Sequence, residues 1–222
     1  LLDITKKPTE TDVNMTFYDA ATGNPKYNYL HTINHRGNPD TLVLDPDLKY
    51  NLTVHTIPPV EKNNISIIKG KHNIIPVDAP QGYLKLEIEG SISKYFPTTI
   101  VRKAGEMKTL NVHEFGKSEK YIVGKYDLEI LTLPRIKLND VEIKQSSTNS
   151  IKIPGSGNVY VSKNSLGYGS IYLDDGKKLT WVCNLNNATQ GEIIYLQPGN
   201  YKVEFRNENS KETIKTIERK FA

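Results

Sequence analysis

The sequence predicts an all-β fold, a tandem array of three small antiparallel β-sandwich modules. Three observations predict this fold. The chain has 13 Tyr but only 2 Met, and its apolar residues are mostly Ile, Leu, Val and Tyr, which favour strands over long helices. Apolar and charged residues alternate with a period of two in several short segments. A segment of about 75 residues also recurs along the chain.

The alternation predicts strands that are half buried. Residues 84–89 have the sequence LKLEIE, and residues 201–205 have the sequence YKVEF. In a strand, successive side chains point to opposite faces, so one face of each segment is apolar and the other charged. Turn-forming residues lie between such segments, namely residues 22–25, 36–39, 174–176 and 198–199. Short alternating strands separated by turns predict an antiparallel sandwich.

The repeat is centred on three tyrosines. Residues 45–60 (DPDLKYNLTVHTIPPV) align with residues 123–136 (VGKYDLEILTLPRI) when Tyr50 is placed on Tyr126. Residues 196–205 (LQPGNYKVEF) give a third copy at Tyr201. The separations are 76 and 75 residues, and a near-constant offset indicates one structural unit used three times.

The flanks of the repeat set the predicted domain boundaries. Ile65, Ile67, Ile75 and Val77 match, in this order, Val141, Ile143, Ile151 and Ile153. We therefore predict sandwich modules over residues 1–79, 80–154 and 155–222, and call these ranges modules 1, 2 and 3. The Pro/Gly junctions at 79–82 and 154–157 lead straight into a predicted strand. Such short connections predict modules in close end-to-end contact.

The third copy predicts a specific turn. Pro198 presets the first φ of the turn and Gly199 is expected to take a positive φ at the second. Tyr201 is then expected to bury its ring and return its hydroxyl to the turn backbone, as in the tyrosine corner of immunoglobulin-like sandwiches. Gly124 stands in the same place before Tyr126. Module 1 has Leu48 there, which predicts a turn of a different type.

These segments carry a resemblance to known families. LQPGNYKVEF at 196–205 and FYDAATGNP at 17–25 resemble transthyretin-like and carboxypeptidase-regulatory-like β-sandwich modules, and PEGA-type repeats of bacterial surface proteins. Residues 124–221 resemble the C-terminal region of von Willebrand factor A-containing proteins of Bacteroidetes-type bacteria. The segments GKYDLEILTLPRI, GYGSIYLDDGKKLTWVCNL and YLQPGNYKVEF carry this likeness, which reaches the first 80 residues only through the internal repeat.

The resemblance implies a non-catalytic region of a larger exported protein, periplasmic or on the cell surface. Its partner would be a protein or an upstream domain of the same chain, such as a von Willebrand A domain. The metal-ion motif of that domain, Asp-x-Ser-x-Ser, does not occur in the sequence, so its cation site is not carried over. The opening residues, LLDIT, lead us to expect a region taken from a longer protein.

Composition excludes several function classes. The net charge of +4 is spread evenly, and the lack of a Lys/Arg block argues against nucleic acid as a partner. No segment approaches the roughly 18 apolar residues of a transmembrane helix. Cys183 is the only cysteine, which excludes an internal disulfide and a thiolate zinc cluster, and its apolar neighbours predict a small core residue.

No motif predicts an enzyme or a cofactor. The sequence has no Gly-x-Ser-x-Gly and no complete phosphate-binding motif Gly-x-x-x-x-Gly-Lys-Ser/Thr. His31 and His35 have a helical metal-ligand spacing, but the Asn, Gly and Pro around them predict a loop. The Asp clusters at 45–47 and 174–176 are interpreted as turns, and a calcium site between modules stays open.

A carbohydrate-binding module is the alternative hypothesis. Aromatic residues concentrate in module 3, where Tyr168, Tyr172 and Trp181 are the candidate ligand-binding residues and Tyr160 lies nearby in sequence. Planar side chains of this kind stack on saccharides in sugar-binding sandwiches. Against it, alternation assigns several of these side chains to the core, and a Trp in a β-module more often serves packing. Residues 167–170, which contain two glycines and a serine, are interpreted as a turn or bulge that enters a strand at Ile171 and not as a hydrolase motif.

Overall fold

The computed structural model describes residues 1–90, 96–210 and 215–222, and within them the protein is all-β. In this described part of the chain, seventeen strands form several small sheets, and every strand pair except one is antiparallel. No α-helix occurs in these residues, and none of their segments forms a helix long and apolar enough to cross a membrane. The predicted all-β class with small antiparallel sheets is confirmed.

Module 1 contains one four-stranded sheet in the order β2-β1-β3-β4. Its strands are β1 (Val13–Asp19), β2 (Pro25–His31), β3 (Lys49–Val54) and β4 (Val60–Ser66). The inner face of this sheet forms a core with Phe17, Tyr50 and Leu52 at its centre. Two irregular segments, residues 39–46 and 67–78, run over that face in place of a second sheet.

Module 2 contains two sheets. Its strands are β5 (Gln81–Glu89), β6 (Thr98–Lys103), β7 (Thr109–Glu114), β8 (Ser118–Ile122), β9 (Gly124–Ile130), β10 (Ile136–Ile143) and β11 (Thr148–Pro154). One sheet has the order β10-β9-β6-β7 and the other β11-β5-β8. The central strand β5 pairs parallel with β11 and antiparallel with β8. Leu84 and Leu86 are fully buried, as the alternation in residues 84–89 predicts.

The start of β5 is tightly packed. A Cβ atom added at Gly82 would collide with the backbone carbonyl of Lys144 and lie 2.9 Å from Cγ2 of Ile143. Only glycine leaves room for the chain that connects β10 to β11 at this point.

Module 3 repeats the arrangement with fewer strands. They are β12 (Gly157–Ser162), β13 (Gly167–Asp174), β14 (Leu179–Asn184), β15 (Gly191–Leu196), β16 (Tyr201–Asn207) and β17 (Ile217–Phe221). The sheets are β14-β13-β16-β17 and β12-β15. The interpretation of residues 167–170 as a turn or bulge is wrong, because β13 already begins at Gly167. A Cβ at Gly167 would collide with the carbonyl of Arg206, so this glycine permits a close approach of β16.

The four-stranded sheets share one topology. The strand with the repeat tyrosine (β3, β9 or β16) lies second from the edge and pairs with the strands β1, β6 or β13. Modules 1 and 2 also share a β-bulge: Asn64 and Asp140 have φ of 58° and 55°. Each donates its N–H over 3.0 Å to a side-chain oxygen of the tyrosine strand, that of Asn51 or Asp127. The division of the chain at 79/80 and 154/155 stays a prediction.

Candidate functional site at the junctions between modules

The three repeat tyrosines are buried and return their hydroxyls to the backbone. The hydroxyls of Tyr126 and Tyr201 donate to the carbonyl oxygens of Ile122 and Gln197, four residues back, each over 2.6 Å. The hydroxyl of Tyr50 donates over 2.9 Å to the carbonyl of Asp45, which lies five residues back. The predicted tyrosine corner is confirmed, and so is the different turn of module 1.

The predicted role of Gly199 is wrong. Its φ does not lie in the left-handed region. A Cβ at Gly199 would lie 3.1 Å from Cδ1 of Leu173 and 3.4 Å from Cε2 of Tyr201. The absent side chain therefore makes room for the buried tyrosine ring, a requirement that depends on packing and not on backbone conformation.

For Tyr126 and Tyr201, the residue that accepts the tyrosine hydroxyl also binds the preceding module. Ile122 donates its N–H over 2.7 Å to the carbonyl oxygen of Ile57 in module 1. Gln197 donates its N–H over 2.7 Å to the carbonyl oxygen of Leu133 in module 2. The two junctions therefore use the same hydrogen bond at matching positions of the repeat. Each of these hydrogen bonds links two successive modules at an equivalent position of the repeat.

Each acceptor carbonyl lies in a turn that we call the docking turn, residues 56–58 and 132–134. In both turns the threonine hydroxyl donates to the carbonyl of the proline two residues on, over 2.7 Å from Thr56 and 2.6 Å from Thr132. Both threonines are buried, and both prolines follow cis peptide bonds. The central side chains, Ile57 and Leu133, pack against the core of the following module.

Module 3 has no counterpart of the docking turn. Counted from Tyr201, the corresponding residues are Asn207, Glu208 and Asn209, without threonine or proline. Asn207 ends β16, and the turn there is closed by the N–H of Asn209, which donates to the Asn207 side chain over 2.9 Å. The docking turn therefore occurs twice in the described residues, once at each predicted junction.

A buried polar pair adds to the first junction. Gln81 donates its backbone N–H over 3.0 Å and its side-chain amide over 3.2 Å to the carboxylate of Glu10. Both residues are buried. A buried carboxylate is costly unless donors satisfy it, so this pair fixes the position of β5 relative to module 1. Nothing in the sequence around Glu10 indicated it, because the partners are 71 residues apart.

Burial keeps the corner tyrosines neutral. Desolvation raises the pKa of Tyr126 to about 12 and also raises the pKa of Tyr201. The pKa of Tyr50 is raised to about 12, mainly by burial. Each hydroxyl thus remains a hydrogen-bond donor to a higher pH than the hydroxyl of an exposed tyrosine.

The candidate metal ligands are placed apart or already bonded. His31 ends β2 with its Nε2 3.3 Å from the Leu1 amine, whereas His35 lies in an exposed turn. The Asp175 carboxylate accepts hydrogen bonds from backbone N–H groups of the turn in which Asp175 lies. These bonds are the main cause that lowers the pKa of Asp175. Among the described residues, no group of three or more His, Cys, Asp or Glu side chains could hold a metal ion.

The aromatic candidates of module 3 share one sheet face. Tyr172 and Trp181 are cross-strand partners of β13 and β14, and Tyr168 lies four residues before Tyr172 on the same face. Trp181 is 58% exposed and Tyr168 is 59% exposed, so neither belongs to the core. Tyr160 lies on the other sheet, in β12. Cys183, by contrast, is half-buried against the module 3 core, as its neighbours predict.

The structure thus offers two arrangements, a repeated junction and an exposed aromatic face. The junction can hold successive modules at a fixed separation, because a carbonyl, an apolar side chain and a tyrosine corner meet at one point. The aromatic face can present flat rings to a ligand. Comparison of the chain with family models, with curated proteins and with solved structures finds no match.

Proposed function

We propose that this chain is a non-catalytic structural and interaction region of a larger exported bacterial protein, periplasmic or on the cell surface. Its three tandem modules would position or support a partner domain, such as a von Willebrand A domain. The observation that carries the proposal is the docking turn bound to the next tyrosine corner at two successive junctions. A repeated, buried contact of this kind suits a spacer, since each module then fixes the direction of the next.

The connections support a stiff spacer. Only two residues separate the end of β11 from the start of β12, and Ala79 and Pro80 lead directly into β5. A flexible tether would need a longer Gly/Ser-rich segment. The apolar side chains of Ile57 and Leu133 resist separation of the modules, because exposing them costs about 25 cal/mol for each Å² of apolar surface.

The test is a distance measurement by double electron–electron resonance. Spin labels are placed on cysteines introduced at the exposed residues Lys26 and Lys177, in a Cys183→Ser background. We expect a narrow distance distribution that broadens in Leu133→Ala and stays narrow in Val112→Ala, an exposed control position. A broad distribution in the unmodified junctions would refute the spacer role.

A carbohydrate-binding role is the second candidate, favoured by a sheet face that carries the exposed rings of Tyr168 and Trp181 and the half-buried ring of Tyr172. Aromatic rings that protrude from a sheet are not needed for packing and suit stacking on a sugar. A glycan array tests this role with wild type, Trp181→Ala and the control Tyr160→Ala. We expect Trp181→Ala to lose binding and Tyr160→Ala to keep it. Absence of binding by folded wild type counts against the role.

A further inference from the structure

The outer face of the four-stranded sheet differs between the modules. When the three sheets are aligned on the repeat tyrosine, the positions of Tyr168, Tyr172 and Trp181 are polar in module 2, where they hold Thr98, Arg102 and Thr109. In module 1 only the second of these positions is aromatic, as Tyr18. The repeated fold therefore does not require three aromatic residues on this face. Rings that are exposed and not needed for packing indicate a binding surface.

The indole of Trp181 is fixed in position. Its Nε1 donates to Oδ1 of Asn184 over 3.0 Å, and Oγ of Ser170 on β13 donates to the same oxygen over 2.8 Å. The amide nitrogen of Asn184 makes no hydrogen bond in the described part of the chain. A ring that is fixed before binding loses little conformational freedom when a ligand stacks on it. The Asn184 amide beside the ring can donate to a ligand oxygen.

The two tyrosines project from the middle of the sheet. Strand β13 lies between β14 and β16, and β16 lies between β13 and β17. The backbone groups of β13 and β16 are therefore used within the sheet, and an extended peptide finds no strand edge there. A ligand over Tyr168 and Tyr172 has to be recognised by side chains alone. Flat apolar rings flanked by polar groups suit sugar rings.

The carboxylates on this face are neutralised. Nζ of Lys202 lies 3.0 Å from the carboxylate of Glu204 and 2.8 Å from that of Glu218. Nζ of Lys220 lies 3.0 Å from the carboxylate of Asp174. In the described parts of the four strands, no carboxylate on this face lacks a cation, so none stands free to repel an anionic ligand.

Arg206 has a guanidinium that no described residue binds. It is half-buried opposite Tyr168 and makes no hydrogen bond or ion pair with the described side chains. On the corresponding face of module 2, by contrast, the guanidinium of Arg102 binds the carboxylate of Glu129 over 3.0 Å. A guanidinium binds a carboxylate through two parallel N–H bonds. The arginine of module 3 is therefore available for a carboxylate that the ligand supplies.

We propose that this face binds an acidic polysaccharide that contains uronic acid residues. Sugar rings would stack on Trp181 and Tyr172, and a carboxylate further along the same polysaccharide would bind Arg206 beside Tyr168. The two tyrosines are four residues apart, or about 13 Å at about 3.3 Å per residue, so the ligand spans more than one sugar. The inference rests on the carbohydrate-binding role proposed above and names its substrate class.

Polygalacturonate and its methyl ester are a matched pair of probes, because the ester keeps the sugar chain and removes the charge. The full chain is titrated with each by isothermal titration calorimetry, and with alginate as a second uronate polymer. We expect binding of at least one acidic polymer. For polygalacturonate, we expect the methyl ester to bind at least about tenfold more weakly, because it cannot form the charged pair with Arg206.

Three variants separate Arg206 from general charge. Arg206→Gln should weaken binding of the acidic polymer at least about tenfold. Lys220→Gln removes one positive charge from the same face, but Lys220 already binds Asp174, so binding should change less than about threefold. Arg206→Lys keeps the charge without the fork of two N–H donors and should give an intermediate loss. Far-UV circular dichroism and Tm verify that each variant is folded.

Several results would overturn the proposal: equal binding of polygalacturonate and its methyl ester, equal effects of Arg206→Gln and Lys220→Gln, or no binding of either acidic polymer. Poly-glutamate that binds as tightly would overturn it in favour of an acidic polypeptide. If a neutral glycan on the array binds and Trp181→Ala abolishes that binding, the carbohydrate-binding role stands without the acidic substrate. A folded chain that binds no glycan refutes both. The spin-label distances are independent of these outcomes, so the spacer role can stand or fall separately.

Discussion

Replacing Tyr126 by phenylalanine tests the importance of the junction corner directly. The change keeps the buried ring and removes only the hydroxyl that donates to the carbonyl of Ile122. A net hydrogen bond contributes about 1 kcal/mol, and leaving its acceptor unsatisfied costs about 1–3 kcal/mol. We therefore expect Tyr126→Phe to lower the free energy of unfolding by about 1–3 kcal/mol. For a chain of this size, 2 kcal/mol corresponds to a drop in Tm of about 4–8 °C.

The assay is urea unfolding followed by far-UV circular dichroism, together with a thermal melt. The matched control is Tyr83→Phe, because Tyr83 is partly exposed and its hydroxyl makes no hydrogen bond in the described part of the chain. Its ring keeps its contact with the Lys120 ammonium after the change. A loss in Tyr126→Phe below about 0.5 kcal/mol, or equal to that of the control, would contradict the reasoning.

Three further predictions concern pH, packing and buried charge. The pKa of Tyr126 is about 12 in the folded chain, against about 10 in the unfolded chain. The stability that its neutral hydroxyl contributes should therefore be complete below pH 10 and be lost as the pH rises to 12. Urea unfolding between pH 10 and 12 should show a smaller decrease in the free energy of unfolding for Tyr126→Phe than for the wild type. Gly82→Ala should lower Tm, since overpacking costs about 1–3 kcal/mol, whereas Gly124→Ala, with its nearest contact at 3.9 Å, should cost less; equal Tm values would refute the steric argument. Lys163→Met should cost about 1.5–3 kcal/mol in chemical denaturation because it removes the buried ammonium from the part-buried Glu192 carboxylate, which keeps only the N–H of Asn186 as a donor, and a loss under about 0.5 kcal/mol would contradict this.

Local pattern was sufficient to predict several elements. Alternation in residues 84–89 identified the inward side chains of β5, and the repeat around Tyr126 and Tyr201 identified the corner that returns a hydroxyl to the backbone. These features depend on a strand's period of two and on residues four apart, so a short window of sequence contains them.

Other features depend on contacts between distant residues. Gly199 was expected to serve backbone conformation, but its neighbours Leu173 and Tyr201 show that it serves packing. The exposed position of Trp181 also follows from which face of β13 meets the core. The partners Glu10 and Gln81 are brought together only by the fold. No sequence window around either residue reports such a neighbour.

The sequence by itself determined the strand class, the repeat and the tyrosine at the centre of each copy, because these are properties of local periodicity and spacing. Only the tertiary structure decided that the carbonyls of Ile57 and Leu133 dock on the next corner, and that β5 pairs parallel with β11. Both depend on backbone groups, which every residue has. Their pairing is decided by which segments lie side by side in the folded chain.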